Sequence, residues 1–285
     1  MNDLPRSGEA SPAGAGKTAT AGGPRPRYRT WIRSTRLAAL AALSGVCLAA
    51  SALSFLSPWF LLFLVPLALL GYITLILALT VYRLAPRGGD FQRRIHDLIV
   101  AKVELTEVGR ALDVGCGSGS LVVQLARASA SSTVTGVDSW GRDWEYSKEQ
   151  CEDNARIEGV AARTAFLNQS GAALRFADGS FDAVVSCLTF HEIGDVERTS
   201  DGVIEALRVL RPGGRYVFLD LFGDPAFYPS TEDVRGAIGR AGASILEFDS
   251  LADYLSLPFP LRHPKVLGYA MLIVGTKPSA SGATS

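Results

Sequence analysis

Three groups of residues in this chain have types and spacing that suit chemistry. The run Asp113-Val114-Gly115-Cys116-Gly117-Ser118-Gly119 sets glycines at alternate positions behind an acidic residue. Without a Cβ, such a main chain can turn sharply and let a ligand lie directly against it. Asp138 ends the run Val134-Thr135-Gly136-Val137-Asp138, and an ionised carboxylate can accept two hydrogen bonds from a diol. His191-Glu192 follows an apolar run that begins at Phe181. An imidazole titrates near neutrality and can take a proton from a hydroxyl or an enol. Glu192 is placed either to orient it or to cap the next helix, and the competing reading is a structural histidine at a strand-to-helix turn.

Other chemistries are excluded by spacing. A dinucleotide loop needs G-x-G-x-x-G, but the third glycine would fall at Ser120 or Val122. Gly14-Ala15-Gly16-Lys17-Thr18 imitates the end of a phosphate-binding loop, yet Ser11 stands where the first glycine must be and no strand signal precedes it. The four cysteines, Cys47, Cys116, Cys151 and Cys187, and three dispersed histidines form no metal-finger or disulfide pattern. No metal is expected. Cys116 has no base near it in sequence and reads as a small filler of its loop.

The elements that must hold these groups alternate. Strand signals cover 111–114, 133–137, 164–167, 181–188, 215–221, 244–248 and 269–274, with helices at 120–128, 146–158, 196–210 and 232–241. An amphipathic helix bearing Phe91, Ile95, Leu98, Ile99 and Val103 comes first. That alternation predicts an α/β domain with a mostly parallel, helix-covered sheet, and the His191 turn falls at its carboxyl edge, where such sheets place ligands.

The D-x-G-x-G-x-G spacing resembles motif I of the class I S-adenosylmethionine-dependent methyltransferases. Asp138 closes the next strand where that family has an acid, Phe181-Asp182-Ala183-Val184-Val185-Ser186 looks like its fourth strand, and Leu210-Arg211-Pro212-Gly213-Gly214 looks like the turn into its fifth. The resemblance covers about residues 90–277 and implies a Rossmann-like methyltransferase fold with a seven-stranded, mostly parallel sheet and helices on both faces. It also implies S-adenosyl-L-methionine as cofactor. Asp113, Gly115, Cys116, Gly117 and Gly119 would support its amino-acid end, Asp138 its ribose, and Trp140 an adenine face. Ser170 stands where many members carry an aspartate toward the adenine amino group, with Asn168 and Gln169 as substitutes. The [DNS]-P-P-[YFW] signature of amino-group methylation is absent after the fourth strand, which favours an oxygen or carbon acceptor with His191 as general base.

Residues 37–82 contain no charged side chain, and Ser57-Pro58 divides them into two runs long enough to cross a bilayer. Trp59 and Tyr82 sit where interfacial aromatics belong. A cleavable signal ending near Ala50-Ser51-Ala52 would still leave the second run to hold the chain. Arg25, Arg27, Arg29, Arg33 and Arg36 precede the hairpin, and Arg83, Arg87, Arg93 and Arg94 follow it. The positive-inside rule then puts both termini in the cytoplasm. The expected organisation is a disordered basic arm over 1–36, a transmembrane hairpin over 37–82, the methyltransferase domain over 83–278 and a disordered tail over 279–285.

The whole chain is neutral, with 28 basic and 28 acidic residues, but residues 1–36 carry seven basic against two acidic and the remainder 21 against 26. The arm suits anionic lipid, and the acidic domain argues against a DNA partner. A membrane-anchored methyltransferase of the cell membrane, acting on a small-molecule or lipid substrate, is the expected function. The alternatives are a protein or RNA methyltransferase docked at the membrane and a non-catalytic cofactor-binding scaffold.

Overall fold

The computed structural model describes residues 23–104, 109–141 and 144–279. The imitation phosphate loop at Gly14–Thr18, most of the expected arm and the tail from residue 280 lie outside the described residues.

Helix α1 (Ser34–Ala52) and helix α2 (Leu64–Leu84) form the apolar hairpin. Both are long and apolar enough to cross a membrane by length and composition. The second run was expected as one helix from residue 59. Residues Pro58–Phe63 instead wind as a 3₁₀ helix before α2 begins. Pro66 accounts for this, because its ring would collide with the carbonyl of residue 62 in a continuous α-helix but is harmless in a first turn.

Helix α3 (Phe91–Val103) leads into the sheet. Then follow β1 (Arg110–Val114), α4 (Ser120–Ala128), β2 (Thr133–Asp138), α5 (Lys148–Ile157), β3 (Thr164–Asn168), β4 (Phe181–Cys187), α6 (Thr199–Arg208), β5 (Leu210–Asp220), α7 (Thr231–Arg240), β6 (Ser244–Ser250), the short α8 (Leu251–Tyr254) and β7 (Met271–Thr276). The seven strands stand in the order β3-β2-β1-β4-β5-β7-β6, with β7 antiparallel to both neighbours. The predicted helices at 146–158 and 196–210 are shorter than expected. Ser147 accepts the Gln150 amide and so caps α5 at its start.

Alternating residues feed two cores. Ala183, Val185, Val217 and Leu219 turn toward Ile95, Ile99, Val122 and Leu125, while Val184, Tyr216 and Phe218 pack with Val203, Leu207 and Ile238. Strand order reverses direction between β1 and β4, so their carboxyl ends open a crevice at the centre of the sheet.

Residues 27–33 correct the expected arm. The Arg27 amide donates to Asn154 Oδ1 (2.7 Å), Tyr146 donates to the Thr30 carbonyl (2.8 Å), and Arg29 pairs with Glu145 at 2.7 Å. Trp31 and Ile32 pack against the core on the α3 side. The segment is basic, but these two apolar side chains have a place to bury, and its main chain finds hydrogen-bond partners on α5 and the loop before it.

Candidate active site

The loop after β1 is built by three glycines in the left-handed region: Gly115 at φ 78°, Gly117 at 54° and Gly119 at 77°. That is a conformation other residues resist. The loop is pinned to the neighbouring strand, because the Gly115 and Cys116 amides both donate to the Val137 carbonyl. Gly119 shapes the turn into α4 without lining the crevice, whereas Gly115, Cys116 and Gly117 line it. Cys116 is buried, and a Cβ on Gly136 would meet its sulfur at 2.8 Å, so it fills space as expected. Burial pushes its thiol well above the ordinary value and keeps it uncharged.

The crevice is a cavity of about 800 Å³, within the size range of small-molecule sites. Asp113 lies at its base, 1% exposed. Neither of its carboxyl oxygens has a hydrogen-bond partner among the described residues. Burial, reinforced by the nearby Asp138, pushes its carboxyl up to about 8. A buried acid left without a donor suits a cationic ligand group, which would supply both a donor and a counter-charge. Asp138 accepts from the Gly117 amide through Oδ2 and the Trp140 amide through Oδ1, each at 2.8 Å. Burial raises its carboxyl above the usual range, partly offset by these amides.

Trp140 is placed differently from the expectation. With φ at 40° and its amide held by Asp138, its indole turns back and donates to the Gly117 carbonyl at 2.9 Å. It packs on the core, and the cavity is lined instead by Trp144, stacked on Tyr146 with centroids 5.4 Å apart. Ser170 lines the cavity and donates to Asp195 Oδ1 at 3.0 Å. The fold thus returns an acid, Asp195, beside the position where the sequence lacks one. Gln169 also lines the cavity, while Asn168 donates to the Ser139 carbonyl.

On the other side of the crevice, residues Phe190–Glu192 form one 3₁₀ turn just past β4. His191 is nearly buried there, its side chain 10% exposed. Its Nδ1 forms a short hydrogen bond with Oδ1 of Asp220, which ends β5 and is fully buried. That partner was not singled out in the sequence. Its only signal is position, since β4 and β5 are parallel neighbours with Cys187 beside Leu219, so their carboxyl ends must meet. Burial pulls the imidazole down, but the charges of Asp220, Glu192 and Asp224 outweigh it and the net shift is upward. With Nδ1–H directed at Asp220, Nε2 is the atom left to accept a proton.

A second imidazole lines the same cavity. His96 of α3 is buried among apolar side chains, with Nδ1 3.2 Å from both Ser120 Oγ and Gln124 Nε2. Burial lowers it to about 4, so it stays neutral.

Comparison with known proteins decides what this crevice belongs to. A methyltransferase-domain family model matches residues 112–218, from the glycine loop through β5. The O-methyltransferase rstn1 of Aspergillus nomiae is 31% identical over 161 residues, covering 50% of this chain and 68% of that protein. The chain belongs to the class I S-adenosylmethionine-dependent methyltransferases. Another relative, the ubiquinone/menaquinone biosynthesis C-methyltransferase UbiE of Geotalea daltonii, is 32% identical over 129 residues, covering 45% of this chain and 52% of that protein. Thus the chain spans between about half and two thirds of these relatives' lengths. The fold is shared with a geranyl diphosphate methyltransferase solved with its cofactor, at a TM-score of 0.54 and 17% identity over 68% of this chain and 89% of that one. S-adenosylmethionine is therefore the cofactor.

Proposed function

We propose that this methyltransferase is anchored in a membrane by the α1–α2 hairpin, with its catalytic domain on the cytoplasmic side, and methylates an oxygen or carbon of a small or lipophilic acceptor. The observation that carries the acceptor reading is His191, which lines one cavity with the glycine loop and is held from behind by the buried Asp220. A neutral amine can attack with its free lone pair and lose its proton afterwards, whereas a hydroxyl or enol needs its proton withdrawn as it is alkylated. The names of the relatives, one an O-methyltransferase and one a quinone C-methyltransferase, fit both acceptor types. Arginines flank both ends of the hairpin and support a cytoplasmic domain.

S-adenosylmethionine supplies a methyl group on a positively charged sulfur that departs with the electron pair of the broken bond. The acceptor must then contribute one electron pair and give up one proton. Asp113 and the main chain of Gly115 and Gly117 would hold the amino-acid end of the cofactor, and Asp138 its ribose. His191 takes the acceptor proton on Nε2, and Asp220 fixes the tautomer that leaves this nitrogen free and stabilises the charge that forms. Holding acceptor and donor in line provides the rest of the acceleration.

The test is labelled-methyl transfer in membranes carrying the full chain, against Asp138→Ala and His191→Ala. Loss of incorporation with both variants is expected. Full incorporation by His191→Ala would remove the proposed base while leaving the cofactor site in place.

A further inference from the structure

The cavity that contains the glycine loop does not stop at the α/β domain. Its wall continues onto Leu77, Thr80 and Leu84, in the last two turns of α2, and onto Val266 and Leu267 of the loop before β7. Ile76, Thr80 and Leu84, spaced four apart on one helix face, are 7%, 0% and 3% exposed, while Leu75 and Tyr82 on the same turns are 55% and 51% exposed. One stripe of a helix that is otherwise apolar all round is therefore claimed by protein. The Thr80 hydroxyl is satisfied by the Ile76 carbonyl at 2.8 Å, so this wall offers the cavity no free polar group.

The cavity wall is mixed: His191, Asp224, Gln92, Arg33 and Lys265 bring polar groups to it, whereas Leu188, Leu221 and the α2 turns bring apolar surface. At a rise of ~1.5 Å per residue, Leu77 lies about 7 Å further along α2 than Tyr82. With Tyr82 at the interface, that depth matches the headgroup layer, about 5–8 Å thick on each side of a bilayer, and brings Leu77 to the hydrocarbon boundary.

We infer that the acceptor is a membrane-resident lipid with a deprotonatable hydroxyl or enol head. It enters sideways from the bilayer, its head reaching His191 and its apolar chain lying along the inner turns of α2. This rests on the methyltransferase reading and narrows its acceptor class. A water-soluble acceptor would have no use for a wall borrowed from a span.

The probe is a long-chain 4-alkylphenol carrying a mid-chain diazirine, photolysed in phosphatidylcholine–phosphatidylglycerol vesicles that hold the full chain, with labelled residues mapped by mass spectrometry. Labels are expected on the cavity-lining Leu77, Thr80 and Leu84 and on residues 264–267, as well as on the lipid-facing Leu75 and Tyr82. Leu77→Trp and, from another wall, Val266→Trp are each expected to cut the cavity labels about tenfold without changing those on Leu75 and Tyr82. Both positions are only half-buried, and calorimetric binding of S-adenosylhomocysteine verifies that each variant is folded. Labels confined to the outer face, or cavity labels that a chainless phenol diazirine gives equally well, would overturn the inference. Failure of the wild type to bind S-adenosylhomocysteine would instead count against the methyltransferase reading.

Discussion

His191 and His96 line one cavity and are driven in opposite directions. His191 stands at the joined ends of β4 and β5, where Asp220, Glu192 and Asp224 supply negative charge and overcome its burial. His96 stands on α3 with only neutral hydrogen-bond partners, and burial alone pulls it down to about 4. Burial alone therefore does not set an imidazole: the neighbouring carboxylates decide which one can collect a proton near neutrality. The sheet edge suits the proposed proton transfer, and the α3 face suits packing.

That contrast breaks most sharply with His191→Ala, which should lower methyl transfer by roughly 10²–10⁴-fold while S-adenosylhomocysteine binding by calorimetry stays close to wild type. Asp220→Asn should cost roughly tenfold or more in rate. It should also move the pH midpoint of transfer downward, since the charge that raises His191 is gone. In the wild type transfer should fall as pH drops through a midpoint above 6.5. A midpoint that does not move on Asp220→Asn would mean that Asp220 does not set the base.

Asp113→Asn should weaken cofactor binding about tenfold, the loss of one buried charge contact. The same change should flatten the stability profile of the ligand-free protein. Between its ordinary 3.8 and about 8 the folded chain keeps a proton that the unfolded chain releases, so stability falls as pH rises through that window. Melting temperatures across that range check the slope. The smallest effect belongs to His96→Gln, with transfer at pH 7 changed less than about twofold. His96 has its folded value depressed from 6.5 to about 4, so the wild type loses stability as pH falls through that interval, and the glutamine variant should lose less.

Much of this was readable in the sequence because it is local. The glycine loop, Asp138 and the strands that alternate with helices each announce themselves within a few residues, and all seven strands formed within a few residues of the expected segments. What escaped depends on contacts between distant segments. Asp220 looks like any strand-terminal acid until β5 is laid beside β4. Trp140 was the natural aromatic for the cavity by position, but its positive φ and its bond to Gly117 turn it away, leaving Trp144 in the wall. Asp195 reaches Ser170 from 25 residues further along. Residues 27–33 looked structureless because composition registers their arginines and not the surfaces that receive Trp31 and Ile32.

The hairpin is mounted on the domain at two points. Residues 27–33 grip α5 and its preceding loop on the way into α1, and α2 passes through one short turn into α3, whose Phe91 and Ile95 are core. A lone helix would be a leash on which the domain could swivel. Two attachments make it a bracket that, on the proposed membrane anchoring, would fix the heading of the cavity mouth relative to the bilayer. Cutting the chain after residue 82 would therefore do more than remove the hairpin, since Trp31, Ile32 and most of the α2 wall would leave with it and open the site.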